Sequence, residues 1–151
     1  MYAIAVDTSG FQTSLALAPY CSESGKMDLS RREELLGESR GSHAEELSTL
    51  FDSILKRAGI GVSDLSQAVV GVGPGSFTGL RIGLSFLKGL CLGGSIPLIP
   101  MKSHGGAAAR IFHSPELRVP AELAVVSDAR RNESFLSLYE VKKKSQIIRL
   151  R

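Results

Sequence analysis

The sequence predicts an α/β domain built around a mixed β-sheet. Two short apolar segments, at residues 2–8 and 13–18, are separated by a glycine-containing turn, which is typical of an antiparallel strand pair. The segments that follow alternate between strand-like apolar runs and patterns of helical periodicity. Strands that alternate with helices favour parallel pairing, so the sheet is expected to contain both strand directions.

The composition predicts one domain with a substantial core. The chain has 151 residues, of which 43% are hydrophobic and 22% charged, and these values argue against disorder. No apolar run reaches the ~18 residues of a membrane span, and the chain enters its first strand with no basic leader segment. Cys21 and Cys91 lack the spacing of metal ligands. Together these features predict a cytoplasmic protein with no membrane association.

The net charge of +3 is unevenly distributed. The last ten residues contain five cations and no acid, namely Lys142, Lys143, Lys144, Arg149 and Arg151. Without these five, 13 of the 18 basic residues remain against 15 acidic ones. A basic run of this kind either attracts phosphate backbones or forms a solvated strand face, and the second interpretation is favoured.

The most regular pattern in the chain predicts a helix over His43–Ala58. A weaker third strand precedes it at residues 33–39. Ser42 and Glu45 have the spacing of a capping box, and Gly59 suits the position after the helix end. One apolar stripe runs along the helix and comprises Leu47, Leu50, Phe51, Ile54, Leu55 and Ala58.

A strand at residues 67–72 is followed by Gly-Pro-Gly-Ser at residues 73–76, termed the glycine turn, and by a second helix at residues 77–92. The proline restricts the backbone, the two glycines allow angles that other residues avoid, and Ser76 can cap the helix. Such a turn is either an ordinary strand-to-helix corner or an anion site or docking surface.

The second helix is apolar on two flanks. Its apolar and glycine positions cover an arc of roughly 220°, against the ~100° that a surface helix needs. One flank consists of Phe77, Leu80, Leu84, Leu87 and Cys91, and the other of Ile82, Phe86 and Leu90 with Gly79 and Gly83. One of the two flanks can pack on the sheet, whereas the other is expected to need a neighbouring helix or a partner chain. Glycines at positions 75, 79 and 83 allow either the close approach of another backbone or tight internal packing.

The remaining segments predict short strands and one poor helix. A strand is expected at residues 95–99, a glycine-containing helix at 102–112 and a proline-bounded linker at 113–120. Three further strands are expected at residues 122–127, 133–141 and 146–150, the first two forming a hairpin.

The glycine turn opens an unbroken motif at residues 73–83, Gly-Pro-Gly-Ser-Phe-Thr-Gly-Leu-Arg-Ile-Gly. This motif resembles the signature of the TsaB (YeaZ) family, which takes part in making threonylcarbamoyladenosine in tRNA. Ala-Val-Asp-Thr-Ser at residues 5–9, Ser-His-Ala-Glu at 42–45 and Asp-Ala-Arg-Arg at 128–131 agree in the same order. The motif positions carried over from the family are Gly73, Pro74, Gly75, Ser76, Gly79 and Arg81.

The resemblance implies the duplicated ribonuclease H-like fold of actin, Hsp70 and sugar kinases, known as the ASKHA fold. Residues 1–112 would form a first subdomain, residues 113–120 a linker, and residues 121–151 the strands of an incomplete second subdomain. Chains of this family usually continue into further helices, so the present chain is expected to be either naturally short or truncated.

The resemblance also implies a non-catalytic scaffold. It would bind a TsaD homologue directly and a TsaE homologue through the complex that modifies adenosine at position 37 of tRNA. The chain would hold no cofactor, because ATP and metal belong to the partner subunits, and it would meet tRNA only indirectly. A second copy could use the same surface. The predicted contact residues lie on the first two helices, with some necessarily facing the sheet: Leu47, Leu50, Phe51, Ile54, Phe77, Leu80, Leu84 and Leu87.

No catalytic or metal-binding residue is predicted. The chain is similar, more weakly, to the TsaD family, whose His-x-x-x-His metal motif falls on Ser103 and Ala107 here. Neither side chain replaces an imidazole as a ligand. His104 is displaced from the motif by one residue and is expected in a turn.

Two alternative functions remain open. In nucleotide-binding members of the fold, the position of Asp7, with Thr8 and Ser9, belongs to a phosphate-binding loop. The favoured interpretation is an Asp that bonds its own turn, because the second lobe is incomplete. The other alternative is a tRNA-binding module that uses the basic tail together with Arg130 and Arg131. These two arginines could bind a phosphate or a partner carboxylate, or they could form a solvated turn.

Overall fold

The computed structural model of the chain describes residues 1–37, 43–143 and 146–149. Within these residues the helices are α1 (His43–Ala58), α2 (Phe77–Gly94) and α3 (Ser103–Phe112). The predicted helix over His43–Ala58 is confirmed, although the capping residue Ser42 lies outside the described residues. The predicted α/β class with a mixed sheet is confirmed as well.

The first sheet is mixed because two kinds of connection meet at its central strand. Its strands are β1 (Tyr2–Asp7), β2 (Ser14–Cys21), β3 (Lys26–Met27), β4 (Glu33–Leu36), β5 (Leu65–Gly71) and β6 (Leu98–Met101). They lie in the order β3-β2-β1-β5-β6, and β4 also pairs with β2. A short turn makes β1 and β2 antiparallel, whereas crossovers through α1 and α2 make β1, β5 and β6 parallel.

The second sheet is a small antiparallel meander. It consists of β7 (Ala121–Arg130), β8 (Glu133–Lys143) and β9 (Gln146–Arg149), in that order. The residues of β7 are alternately half-buried and exposed along its whole length. This alternation follows from the pleat, because one face of the strand packs on α3 and the other faces outward.

The main core lies between the first sheet and the two helices α1 and α2. Alternate residues of β2, such as Leu15 and Leu17, are buried because they share one face of the strand. The largest fully buried side chains here include Ile4, Leu17, Leu47, Ile54 and Leu87. Each such side chain contributes roughly 1.5–3 kcal/mol through its removal from water.

Some strand boundaries differ from the predictions. The strand predicted at residues 95–99 begins only at Leu98, because Ser95 ends α2 with a left-handed φ of 51°. The Ile96 N–H then donates a hydrogen bond to the Cys91 carbonyl. The strand predicted at residues 33–39 ends at Leu36, and residues 38 and 39 lie outside the described residues.

The two faces of α2 can be distinguished by stability measurements. Leu87→Ala is expected to lower the free energy of unfolding by about 2–5 kcal/mol, because it leaves a cavity in the core. Leu92→Ala, on the same helix, is expected to change it by less than about 0.5 kcal/mol, since Leu92 is 81% exposed. Urea denaturation followed by circular dichroism measures both, and equal losses would contradict this assignment of the helix faces.

Candidate functional site

The glycine turn connects the end of β5 to the start of α2. Gly73 has a φ of +87°, a backbone angle that side chains with a Cβ atom disfavour. The Gly79 N–H donates to Ser76 Oγ at 3.2 Å, so Ser76 caps the helix as predicted. The turn is also held from α3, where Ser103 Oγ accepts a hydrogen bond from the Gly73 N–H at 3.1 Å.

The glycines at positions 75, 79 and 83, termed the glycine row, lie at and after the start of α2 and receive the backbone that follows β1. The Ser76 N–H donates to the Ser9 carbonyl at 2.7 Å, and Thr8 Oγ1 donates to the Gly79 carbonyl at 2.7 Å. A Cβ atom on Gly79 would collide with the Thr8 carbonyl oxygen, and one on Gly83 would collide with Thr8 Oγ1. A Cβ atom on Gly75 would collide with the Ser9 carbonyl oxygen. The four-residue glycine spacing therefore serves internal packing.

The same contacts bear on the candidate anion site. Asp7 Oδ1 accepts a hydrogen bond from the Ser9 N–H at 2.8 Å, and the Asp7 side chain fills the space beside Gly71. The Asp7 carboxylate thus bonds its own turn, as the favoured interpretation expects. The N–H groups of Ser76 and Gly79 are likewise occupied, by the Ser9 carbonyl and by Ser76 Oγ. The favoured use of this corner is structural.

The body of α2 is covered on two sides by its own chain. The side facing the sheet consists of Gly79, Gly83, Leu87 and Cys91, all of them buried. Burial raises the pKa of the Cys91 thiol. The second apolar flank lies against α1, where the rings of Phe51 and Phe86 meet edge to face at 5.2 Å. The neighbouring helix that the sequence predicts for this flank is therefore α1.

Burial divides the predicted contact set into three groups. Four of its members lie in the chain's own core and have almost no surface to offer a partner: Leu47, Phe51, Ile54 and Leu87. The prediction that these four residues contact a partner is therefore wrong, because the sides of α1 and α2 that carry them face the chain's own core. Leu50 and Leu80 are half-buried, and only Phe77 and Leu84 are exposed.

Six of the exposed residues of α2 form one continuous strip, termed the outer face: Phe77, Arg81, Leu84, Ser85, Lys88 and Leu92. Phe77, Leu84 and Leu92 are 74%, 36% and 81% exposed. The Arg81 guanidinium lies 5.6 Å from the centre of the Phe77 ring. Leu92 is not among the contact residues predicted from the sequence, although its helical angle of roughly 60° from Phe77 places it beside Arg81 and Lys88.

A groove of about 580 Å³ runs between α1 and α2, next to the outer face. Its sides are small or polar and its floor is apolar. The sides include Ala44 and Ser48 of α1 with Thr78, Arg81 and Ser85 of α2, and the floor includes Ile82 and Phe86. A groove with this lining suits the insertion of side chains from a partner helix.

His104 joins the first subdomain to the second sheet. Its Nε2 lies 2.8 Å from Ser127 Oγ on β7, and its Nδ1 lies 3.0 Å from Ser137 Oγ on β8. His104 is only 4% exposed and lies in the first turn of α3, so its predicted place in a turn is wrong. The sequence feature that could have predicted this bridge is a serine at an inward-facing position of each hairpin strand.

Arg130 and Arg131 lie at the tip of the β7–β8 hairpin, where both are exposed. They and Asn132 have φ values of 66°, 54° and 63°, and Asp128 Oδ1 accepts a hydrogen bond from the Arg130 N–H at 2.7 Å. This geometry is that of a tight hairpin turn. In the predicted basic tail, Lys142 is exposed on β8, whereas Lys144 and Arg151 lie outside the described residues.

The described residues contain neither a metal-binding cluster nor a membrane-spanning helix. No group of three or more His, Cys, Asp or Glu residues in residues 1–37, 43–143 and 146–149 could hold a metal ion. In the same part of the chain, none of the helices has the length and apolar character required to cross a membrane.

Comparison with known proteins gives consistent matches. The family model described as "TsaD: tRNA N6-adenosine threonylcarbamoyltransferase" matches residues 38–148. The TsaB protein of Haemophilus influenzae is 31% identical over 134 residues, which are 89% of this chain and 52% of that protein. The TsaB protein of Bacillus subtilis is 30% identical over 146 residues, which are 94% of this chain and 56% of that protein. The chain spans about half the length of these relatives.

The solved structures agree in fold. The structure of YeaZ from Pseudomonas aeruginosa superposes with a TM-score of 0.76 at 23% identity, and the match covers 99% of this chain and 63% of that one. This similarity confirms the predicted ASKHA-like fold with a small second subdomain.

Two glycines of α2, one in the glycine row and one outside it, provide a matched pair of variants. Gly79→Ala is expected to lower the free energy of unfolding by roughly 1–3 kcal/mol, because the added Cβ atom meets the Thr8 carbonyl oxygen. Gly89→Ala, on the same helix with open space around its Cβ position, is expected to raise it by about 0.5–1 kcal/mol. Thermal and urea denaturation measure both, and stabilisation by Gly79→Ala would contradict the close approach of Thr8.

The His104 bridge can be tested in the same way. His104→Ala removes a shared hydrogen-bond partner from Ser127 and Ser137 and leaves a cavity, so a loss of roughly 1–3 kcal/mol is expected. The substitution His113→Ala at an exposed histidine after the end of α3 is the control, with little expected effect. Hydrogen exchange should also rise in β7 and β8 of the His104 variant, and unchanged exchange there would contradict the bridging role.

Proposed function

The chain belongs to the TsaB (YeaZ) family, and on that premise we propose that it is a non-catalytic scaffold subunit in the synthesis of threonylcarbamoyladenosine in tRNA. Its direct partner would be a TsaD homologue, bound through α1 and α2 as one half of a helix bundle. Nucleotide, metal and the transfer chemistry would belong to the partner subunits. A TsaE homologue and tRNA would be reached through the complex, in the cytoplasm.

The observation that carries this proposal is the apolar row on the outer face of α2. Phe77, Leu84 and Leu92 are exposed on one side of the helix, at successive separations of seven and eight residues. Single exposed apolar side chains are ordinary on protein surfaces. These three, however, are spaced about two helical turns apart and extend over about 22 Å of helix. Apolar side chains recur at this two-turn spacing where one helix packs along another.

The polar residues of the outer face indicate the chemistry of the partner. Arg81 and Lys88 are exposed between the three apolar side chains. A partner helix that presents an apolar row with acidic side chains beside it would match both features. The groove between α1 and α2 would then receive side chains from a second helix of the same partner.

The geometry of the loop after β1 supports a binding role over a nucleotide-dependent one. The Asp7 carboxylate accepts the Ser9 N–H, and the Ser9 carbonyl accepts the Ser76 N–H at the start of α2. Phosphate oxygens would have to compete with these internal bonds for the same donors. A titration with Mg-ATP would give measurable heat only under the nucleotide-binding alternative.

The docking surface is tested by charge insertion. The double variant Phe77→Asp with Leu84→Asp is expected to weaken binding to the TsaD homologue of the same organism at least about tenfold, because it places carboxylates in the apolar row. Val62→Asp is the control, since Val62 lies outside α2 and its 40% exposure is close to the 36% of Leu84. Analytical size exclusion and calorimetry measure the complex.

The two results lead to different conclusions. Loss of binding in the double variant alone, with circular dichroism unchanged, supports the outer face as the contact. Binding that is equal in the double variant and the control would contradict this docking surface.

A further inference from the structure

Arg81 lies where the outer face of α2 meets the groove between α1 and α2. Its side chain belongs to the exposed strip of α2 and also lines the groove. No ion pair or side-chain hydrogen bond among the described residues involves Arg81. An exposed arginine without an acidic partner is ordinary by itself. Two features distinguish this one, namely a neighbouring ring that holds its guanidinium and a row of hydroxyl groups beside it.

The ring of Phe77 holds one face of the guanidinium. Phe77 precedes Arg81 by one helical turn, so the two side chains are neighbours on the surface of α2. The guanidinium carbon lies 5.6 Å from the ring centre, within the range of a cation–π contact. A guanidinium held by one face keeps its edge, which carries the N–H donors, available to a ligand. The contact also reduces the conformational freedom that Arg81 loses when a ligand binds.

The hydroxyl groups on the α2 side of the groove provide further donors. Thr78 and Ser85 lie about one turn before and after Arg81, and all three line the groove. Neither hydroxyl group forms a hydrogen bond with another described residue. On the α1 side, by contrast, Ser48 Oγ donates to the Ala44 carbonyl at 3.3 Å. The donors that remain available to a ligand therefore lie along α2.

The charge and polarity of the groove indicate the group that binds there. Among the described residues that line it, Arg81 carries the only charge. The floor, which includes Ile82 and Phe86, is apolar. A short aliphatic stem that ends in a carboxylate matches both features, and this is the side chain of an aspartate or a glutamate. Its methylene groups would cover the floor while the carboxylate accepts hydrogen bonds from the guanidinium edge.

Other partner groups match the groove less well. A lysine or an arginine of the partner would be repelled by Arg81. An apolar side chain over Arg81 would remove water from the guanidinium without supplying an acceptor, which costs free energy. A phosphate of a nucleic acid matches the charge of Arg81, but it has no aliphatic part to cover the apolar floor. The carboxylate of a protein partner is therefore the favoured ligand.

From these features we propose that Arg81 is a specificity-determining residue of the docking surface, and that it binds a carboxylate on the partner helix lying along the outer face. Phe77 is then a positioning residue for the guanidinium as well as an apolar contact. This inference rests on the proposed function, since it requires that the outer face contacts the TsaD homologue. It adds the requirement for an acidic side chain at one place on the partner.

Substitutions of Arg81 test the proposal, with the affinity of the full 151-residue chain for the TsaD homologue measured by calorimetry. Arg81→Met keeps the aliphatic length and removes the guanidinium, so binding should weaken at least about tenfold. Arg81→Lys keeps the charge without the planar donor edge and should give an intermediate affinity. Arg57→Met is the control, because Arg57 is exposed in the last turn of α1 and does not line the groove, and it should leave the affinity unchanged.

A double-mutant cycle tests the positioning role of Phe77. If the ring holds the guanidinium, Arg81→Met should weaken binding at least about threefold less in a Phe77→Leu background than in the unmodified chain. Additive effects of the two substitutions would contradict that role.

Charge reversal identifies the partner residue. Arg81→Glu should prevent binding, because two carboxylates would then meet. In a panel of TsaD-homologue variants, each with one exposed Asp or Glu replaced by Arg, one member should restore the affinity for Arg81→Glu. If no member does so, a single acidic contact is contradicted.

The remaining outcomes separate this inference from the proposed function. Unchanged affinity in Arg81→Met, with binding still weakened by the double variant Phe77→Asp with Leu84→Asp, overturns the inference and leaves the docking surface intact. Unchanged affinity in both contradicts the inference and the docking surface together. Unchanged affinity for the TsaD homologue, with weaker binding of tRNA by the complex, would assign Arg81 to a phosphate and also overturn the inference.

Discussion

The structure depends on the close approach of the backbone after β1 to the glycine row of α2. Thr8 and Ser9 contact the helix where Gly75, Gly79 and Gly83 leave no side chain in the way. A helix that carried Cβ atoms at these positions would have to move away from the sheet. The hydrogen bonds of this contact, together with the hydrogen bond from Ser76 to Ser9, hold α2 in one orientation on the first sheet.

That orientation decides which side chains remain available to a partner. With the glycine row against Thr8, Leu87 and Cys91 face the core, and Phe86 faces Phe51 of α1. The side of α2 left over carries the outer face, in which apolar and basic residues are interleaved. A change in the glycine row would therefore rotate or displace the outer face as well, which couples a stability determinant to the proposed binding surface.

The second sheet is attached by different means. Its link to α3 includes the hydrogen bonds of the buried His104 to Ser127 and Ser137, in addition to apolar contacts. Because a buried imidazole needs partners for both ring nitrogens, this bridge favours one position of the hairpin relative to α3. The inward face of β7 is thereby packed against its own chain.

The amino-acid sequence by itself determined the local structure and the family. Helical periodicity predicted α1 with its observed bounds, the Gly-Pro-Gly-Ser motif predicted the capped turn before α2, and the same motif carried the resemblance that the comparisons confirm. These features depend on neighbours along the chain, so a linear pattern contains them. Only the tertiary structure decided which apolar residues of α1 and α2 are core, why the glycines recur, and that His104 is buried against β7 and β8. Each of these depends on contacts between residues distant in sequence, and periodicity reports that a side chain is apolar or small without reporting what lies against it.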